Sequence, residues 1–138
     1  MRRWLTLALA AHLVAGCGPS EPSPSAVTMD IEGIEWIAVS VAGLTPDHAS
    51  APTLTIESGR ITGSTGCNSY GARATLSGGS IAIRDLGSTL IGCAGPIADL
   101  EAAFMRALAA ADRVAIVAGE LVVSGPGGEL RFGRGFGP

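Results

Sequence analysis

From Ile34 onward, short apolar–polar runs alternate with glycine-containing breaks. Trp36, Ala38 (or Ile37), Val39 and Val41 form a run that Gly43 ends. Leu54 and Ile56, then Ser58-Gly59, then Ile61 read as a hairpin, with Ser-Gly as its turn. Residues 72–76, Ser77-Gly78-Gly79-Ser80, and Ile81 with Ile83 read as a second hairpin. Residues 114–117, Ala118-Gly119 and residues 121–123 read as a third, and a turn over 124–128 leads to Leu130 and Phe132. The period of two predicts about eight strands, and loops of about two to five residues favour antiparallel pairing.

One segment has a different period. Across residues 96–111, Ile97, Leu100, Phe104, Ala107, Leu108 and Ala111 recur at helical spacing and make one apolar stripe. Pro96 suits a first helical turn, Asp99 and Glu101 suit the positive end of the dipole, and Arg106 and Arg113 lie towards or beyond the other end. A lone amphipathic helix among strands buries its stripe against a sheet face or in a barrel mouth. The expected fold is therefore α+β: a curved antiparallel sheet or partly open β-barrel of about eight strands, packed on a single helix.

The first residues follow neither period. Arg2 and Arg3 precede an apolar run from Trp4 to Val14, too short for the roughly twenty residues that span a bilayer. Ala15-Gly16-Cys17 follows, and the whole resembles a secretory leader ending in a bacterial lipobox. Residues 1–16 are expected to be removed as a signal peptide, with lipid attached at Cys17. Residues 17–29 hold that Cys and a Pro/Ser-rich tether, and residues 30–138 form the domain. Gly18 follows the Cys where an Asp would retain enterobacterial lipoproteins in the inner membrane. The expected location is the cell envelope, on the outer membrane facing the periplasm if the cell is Gram-negative.

Cleavage changes the inventory. Of 138 residues 122 remain, and loss of two of the nine Arg takes the formal charge from −3 to −5. There is no Lys, which excludes a lysine Schiff base and a P-loop lysine. No basic stripe is present, so no nucleic-acid partner is expected. His12 leaves with the leader, and His48, in a stretch of loop composition, becomes the one imidazole. That excludes multi-His metal sites. Glu32 and Glu35 lie at the domain edge, Asp85 in an expected strand-ending loop, and Asp99, Glu101 and Asp112 on an expected solvated helix face. Nothing selects a catalytic pair among them. Neither catalytic residues, a metal nor a cofactor is expected, and the chain is expected to be a monomer.

Cys67 and Cys93 remain. In an exported chain the pair is expected to form a disulfide, worth on the order of 3 kcal/mol for a 26-residue separation. Two buried thiols or a redox pair are the alternatives, although no C-x-x-C sequence favours redox work.

Gly66-Cys67-Asn68-Ser69-Tyr70-Gly71 resembles a motif of the META/HslJ-like family. Ser88-Thr89-Leu90-Ile91-Gly92-Cys93 is similar to its second motif, and Glu101, Phe104, Ala107 and Leu108 to its helix. Trp36 and Leu130-Arg131-Phe132 complete a likeness over about residues 30–132. Ala72, Ala74, Ile91 and Gly92 depart from the family pattern around these loops. The resemblance implies a compact antiparallel β-structure on one helix in an envelope or secreted protein. Family members are linked to heat shock, drug tolerance, motility or secretion, and no reaction comes with the family.

Asn68, Tyr70 and Thr89 are the candidate recognition residues. For Asn68 and Thr89 the leading reading is that they satisfy local backbone groups, with a shared recognition surface as the alternative, and Tyr70 either projects from the loop or caps the barrel. The expected function is non-enzymatic: an envelope lipoprotein that binds a protein partner in stress tolerance. The alternatives are a carrier of a small apolar ligand and an inhibitor of an envelope-attacking hydrolase.

Overall fold

The computed structural model describes Gly18 and residues 31–135. The expected leader, Cys17 and the rest of the tether lie outside the described residues. Eight strands run in chain order as β1 (Glu35–Val41), β2 (Thr53–Glu57), β3 (Arg60–Ser64), β4 (Ser69–Ser77), β5 (Ser80–Ser88), β6 (Arg113–Val117), β7 (Glu120–Gly125) and β8 (Gly128–Arg134). One helix, α1 (Pro96–Ala109), joins β5 to β6, and a single 3-10 turn (His48–Ser50) lies between β1 and β2.

Every strand pairs antiparallel with its neighbours in sequence, and β8 returns to β1 to close the barrel. The expected open sheet or partly open barrel thus closes into a ring of eight strands. The seam is thinnest between β5 and β6, where Ser80 opposite Arg113 is the registered pair.

The turns follow from local chemistry. Ser58-Gly59, Gly78-Gly79 and Ala118-Gly119 all have positive φ at both positions. That is the type I′ geometry whose twist matches a two-residue hairpin. Two bulges re-aim side chains. One in β1 between Ala38 and Ser40 turns Val39 outward while Ala38 and Val41 stay inside. The other, in β5, places Asp85 at φ 55 within the strand, not in the expected strand-ending loop, and sets it 3.5 Å from Arg73 on the surface.

In an up-and-down barrel the connections alternate between ends. The β1–β2, β3–β4, β5–β6 and β7–β8 connections share one end, termed here the loop end. The three tight turns, the approach to β1 and the exit from β8 share the other. Close approaches at the loop end agree: a side chain at Gly66 would collide with the Ser50 carbonyl, and one at Gly125 with the Ala110 carbonyl.

Helix α1 begins after Gly95 with Pro96 in its first turn, as expected. It ends at Ala109, two residues short of the expected 111. It packs against β8, β1, β5 and β7, strands that are not all neighbours. Such contacts require the helix to plug the barrel mouth. Leu100, Phe104, Ala107 and Leu108 point inward and join Trp36, Leu54, Ile61, Leu121, Leu130 and Phe132 in one core. Phe104 stacks edge-on against Tyr70 at 5.3 Å and against Phe132 at 6.4 Å. Trp36 is fully buried and its indole N–H donates to the Ile31 carbonyl at 3.1 Å, pinning the approach to β1. Among the described residues, no helix is long and apolar enough to cross a membrane.

Candidate functional site

The loop end brings together the β3–β4 connection (65–68), the segment after β5 (89–95) and the first two turns of α1. Thr65 and Asn68 close the first connection on themselves. The Thr65 N–H donates to the Asn68 carbonyl at 2.7 Å, and the Asn68 N–H donates to Thr65 Oγ1 at 2.8 Å. Both residues are buried, and such side-chain-to-backbone bonds are why Ser, Thr and Asn occupy tight connections.

The Asn68 amide is the hub. Its Nδ2 donates to Glu101 Oε1 at 2.7 Å and to the Ile91 carbonyl at 3.2 Å. Its Oδ1 accepts the Ile91 N–H at 2.7 Å and the Thr89 hydroxyl at 2.9 Å. A primary amide has two donors and two acceptor sites, and all are used. The Glu101 carboxylate on one side and the Ile91 N–H on the other dictate which way the amide faces. Thr89 Oγ1 also accepts the Ser69 N–H at 3.1 Å, and the Thr89 N–H donates to the Ser69 carbonyl at 2.9 Å. These bonds extend the β4–β5 ladder past Ser88.

Cys67 and Cys93 form a disulfide with their Cα atoms 6.4 Å apart, inside the span that a bridge requires. The alternative of two free buried thiols does not describe this state. The bridge fixes the far end of a segment that Asn68 and Ser69 already hold at Thr89 and Ile91. Between these restraints Leu90 is 94% exposed and Ile91 63% exposed. Two adjacent aliphatic side chains are therefore held out in water on a braced backbone.

The three candidate recognition residues separate. Thr89 and Asn68, which come from different connections, bond to each other. Asn68 is only 4% exposed, so it shapes the surface from beneath. Tyr70 belongs to β4, not to a loop, and alternates inward with Ala72 and Ala74. It takes the capping alternative: its ring packs on Phe104 and its hydroxyl donates to the Thr53 carbonyl at 2.8 Å. Burial pushes its phenol well above the ordinary range.

Glu101 differs from its expected place. Expected on a solvated helix face, it turns inward enough for Oε1 to accept both Asn68 and the Thr65 hydroxyl, the latter at 2.8 Å. Its spacing of three and seven residues from Phe104 and Leu108 set it beside the apolar stripe, and the Glu in the resembled helix motif was the signal for it. His48 sits exposed on the 3-10 turn.

Ligand atoms of Cys67, Cys93 and Glu101 lie within 4.8 Å of one another. With the two sulfurs bonded to each other, neither thiolate is available and the group does not make a metal centre. The barrel interior is occupied by the aromatic and aliphatic core. Three depressions lie at the surface: one of about 230 Å³ between Leu44, Pro46 and Ile97, one of about 360 Å³ over Ile37 and Val39, and one of about 290 Å³ between α1 and residues 88–91.

Solved structures resemble this architecture. An NMR structure of a protein from Burkholderia xenovorans superposes with a TM-score of 0.66 at 23% identity, covering 94% of this chain and all of that one. A second NMR structure gives a TM-score of 0.64 at 22% identity, covering 76% of this chain and 92% of the other. At such identities the likeness concerns the fold. No curated protein matches the chain. The META domain family model matches residues 29–135, which include both barrel-closing strands, the bridged cysteines, Asn68 and Glu101; the chain belongs to the META domain family.

Proposed function

We propose that this protein is a non-enzymatic bacterial envelope lipoprotein whose META domain binds a protein partner through its loop end, in envelope stress tolerance. The observation that carries the reading is the exposed Leu90–Ile91 pair on a segment held by a disulfide and by both amide ends of Asn68. Exposing two aliphatic side chains forgoes about 1.5–3 kcal/mol each relative to burial. Bracing them removes the ordering entropy that a flexible loop would lose on docking.

The proposed anchor agrees with this surface. A lipid on Cys17 would hold a monomeric domain by the approach to β1, which lies at the end opposite the loops. Thirteen tether residues reach at most about 45 Å when extended. The loop end would then face away from the membrane, towards the periplasm in a Gram-negative cell. The polar cluster supports a non-catalytic role because Asn68 is saturated with structural bonds.

A second reading, an inhibitor of an envelope-attacking hydrolase, is favoured by the same braced loop. A carrier reading finds no support in a barrel interior already filled by Trp36, Phe104 and Phe132.

Crosslinking and pull-down from intact cells tests the proposal. The unaltered protein should retain one specific envelope partner, and Leu90→Asp with Ile91→Asp should lose it at equal abundance. Identical capture by both proteins would remove the loop-end reading. Purified protein should slow one member of a hydrolase panel if the second reading holds. Mass spectrometry should find acylation in the unaltered chain and none in Cys17→Ser.

A further inference from the structure

We infer that the occupant of the depression between α1 and residues 88–91 is an arginine or lysine side chain of a partner protein, carried between apolar residues. This rests on the loop-end reading and adds the chemistry of what the surface receives. The depression measures about 290 Å³ and is lined by Thr89, Leu90, Ala98, Glu101, Ala102 and Met105 among others.

Glu101 is unusual within it. Oε1 accepts both Thr65 and Asn68, so the carboxylate is fixed in direction. Among the described residues, Oε2 accepts no hydrogen bond and no cation lies within ion-pair distance. One oxygen of a held carboxylate is thus left for a donor from outside. Ala98, Ala102 and Met105 follow one another at spacings of four and three residues, which sets them along one helix flank beside Glu101 in the lining. With Leu90 across the depression they form an apolar wall for the methylene stem of a long cationic side chain. Leu90 and Ile91 extend that apolar surface outward, which requires apolar neighbours in the partner. The loop end also carries Asp47 and Asp99 with no ion pair among the described residues, against the single unpaired cation of Arg106 on α1, so acidic groups outnumber it and favour a basic partner rim.

The inference is tested on the oxidised chain in detergent micelles by methyl NMR. The probe is the peptide acetyl-Leu-Arg-Leu-amide, and the control replaces Arg with neutral citrulline. Acetyl-arginine-amide, a third arm, reports the cation without its apolar flanks. The Arg peptide should shift the methyls of Leu90, Ala102 and Met105 at millimolar concentration. It should bind about tenfold more tightly than the citrulline peptide, and more tightly than acetyl-arginine-amide. Glu101→Gln should abolish the difference between Arg and citrulline while lowering the thermal midpoint by only about 4–8 °C, so the variant is still folded during the titration. Its amide oxygen still accepts Thr65 and Asn68 as neutral bonds, and the open side loses its charge. Equal binding of both peptides, shifts elsewhere on the barrel, or none at all would overturn the inference. If Leu90→Asp with Ile91→Asp still abolishes partner capture in cells, such a result removes the cationic occupant alone. Capture unchanged by that double variant removes the reading beneath it as well.

Discussion

Asn68→Ala is the sharpest test of how the loop end is built. The substitution deletes four side-chain hydrogen bonds: to Glu101 Oε1, to the Ile91 carbonyl, from the Ile91 N–H and from the Thr89 hydroxyl. A bond to a charged group contributes about 1.5–3 kcal/mol net and a neutral one about 0.5–1.5. Thr89 and Ile91 are exposed, so water replaces part of what they lose. The Glu101 carboxylate and the Ile91 carbonyl face the space vacated beneath the loop and are served less well. The sum is a loss of about 3 kcal/mol. For a domain of this size that lowers the thermal midpoint by about 12 °C. Urea and thermal melts of the oxidised proteins by circular dichroism measure it, with Leu90→Ala as a control expected to change stability little because that side chain is 94% exposed. A loss below about 1 kcal/mol would refute the hub role and leave the disulfide as the restraint that holds the segment.

Two further predictions concern the buried Tyr70 and the disulfide. Tyr70 is the single tyrosine, so alkaline titration by ultraviolet absorbance reads it alone. Its phenol sits above the ordinary 10.0 because of burial. The unfolded chain therefore loses its proton first, and Tyr70 contributes stability below pH 10 that is lost progressively as the pH rises beyond it. Absorbance should stay flat past pH 10 and rise together with unfolding, whereas a midpoint at 10 in the folded protein would contradict the packing. Replacing Cys67 and Cys93 together by Ser should cost about 3.5 kcal/mol in a urea melt, the chain-entropy value for their separation, and no measurable loss would mean that the Asn68 bonds alone fix the segment.

Much of the fold was legible in the pattern. The turn dipeptides predicted hairpins at 58–59, 78–79 and 118–119 because only a narrow range of turns matches strand twist. Helical spacing of Leu100, Phe104, Ala107 and Leu108 predicted α1. Tyr70 was less legible, since its alternation with Ala72 and Ala74 competed with the loop character of Gly66-Cys67-Asn68. Glu101 was misplaced for a different reason. A carboxylate on an amphipathic helix reads as solvated unless its buried partners are known, and those partners lie 33 and 36 residues earlier in the chain.

The sequence by itself determined the elements, their antiparallel order and the pairing expected of Cys67 and Cys93, because periodicity, turn chemistry and export are properties of neighbouring residues. Only the tertiary structure decided that the sheet closes, that α1 plugs one mouth, and that Asn68, Glu101, Thr65 and Thr89 meet there. Closure depends on accumulated twist and on two bulges, and the cluster depends on loops from distant parts of the chain arriving at the same end of the barrel. Local sequence chooses which groups need partners; the barrel decides which partners they find, and leaves Leu90 and Ile91 in water on a segment that cannot fold them away.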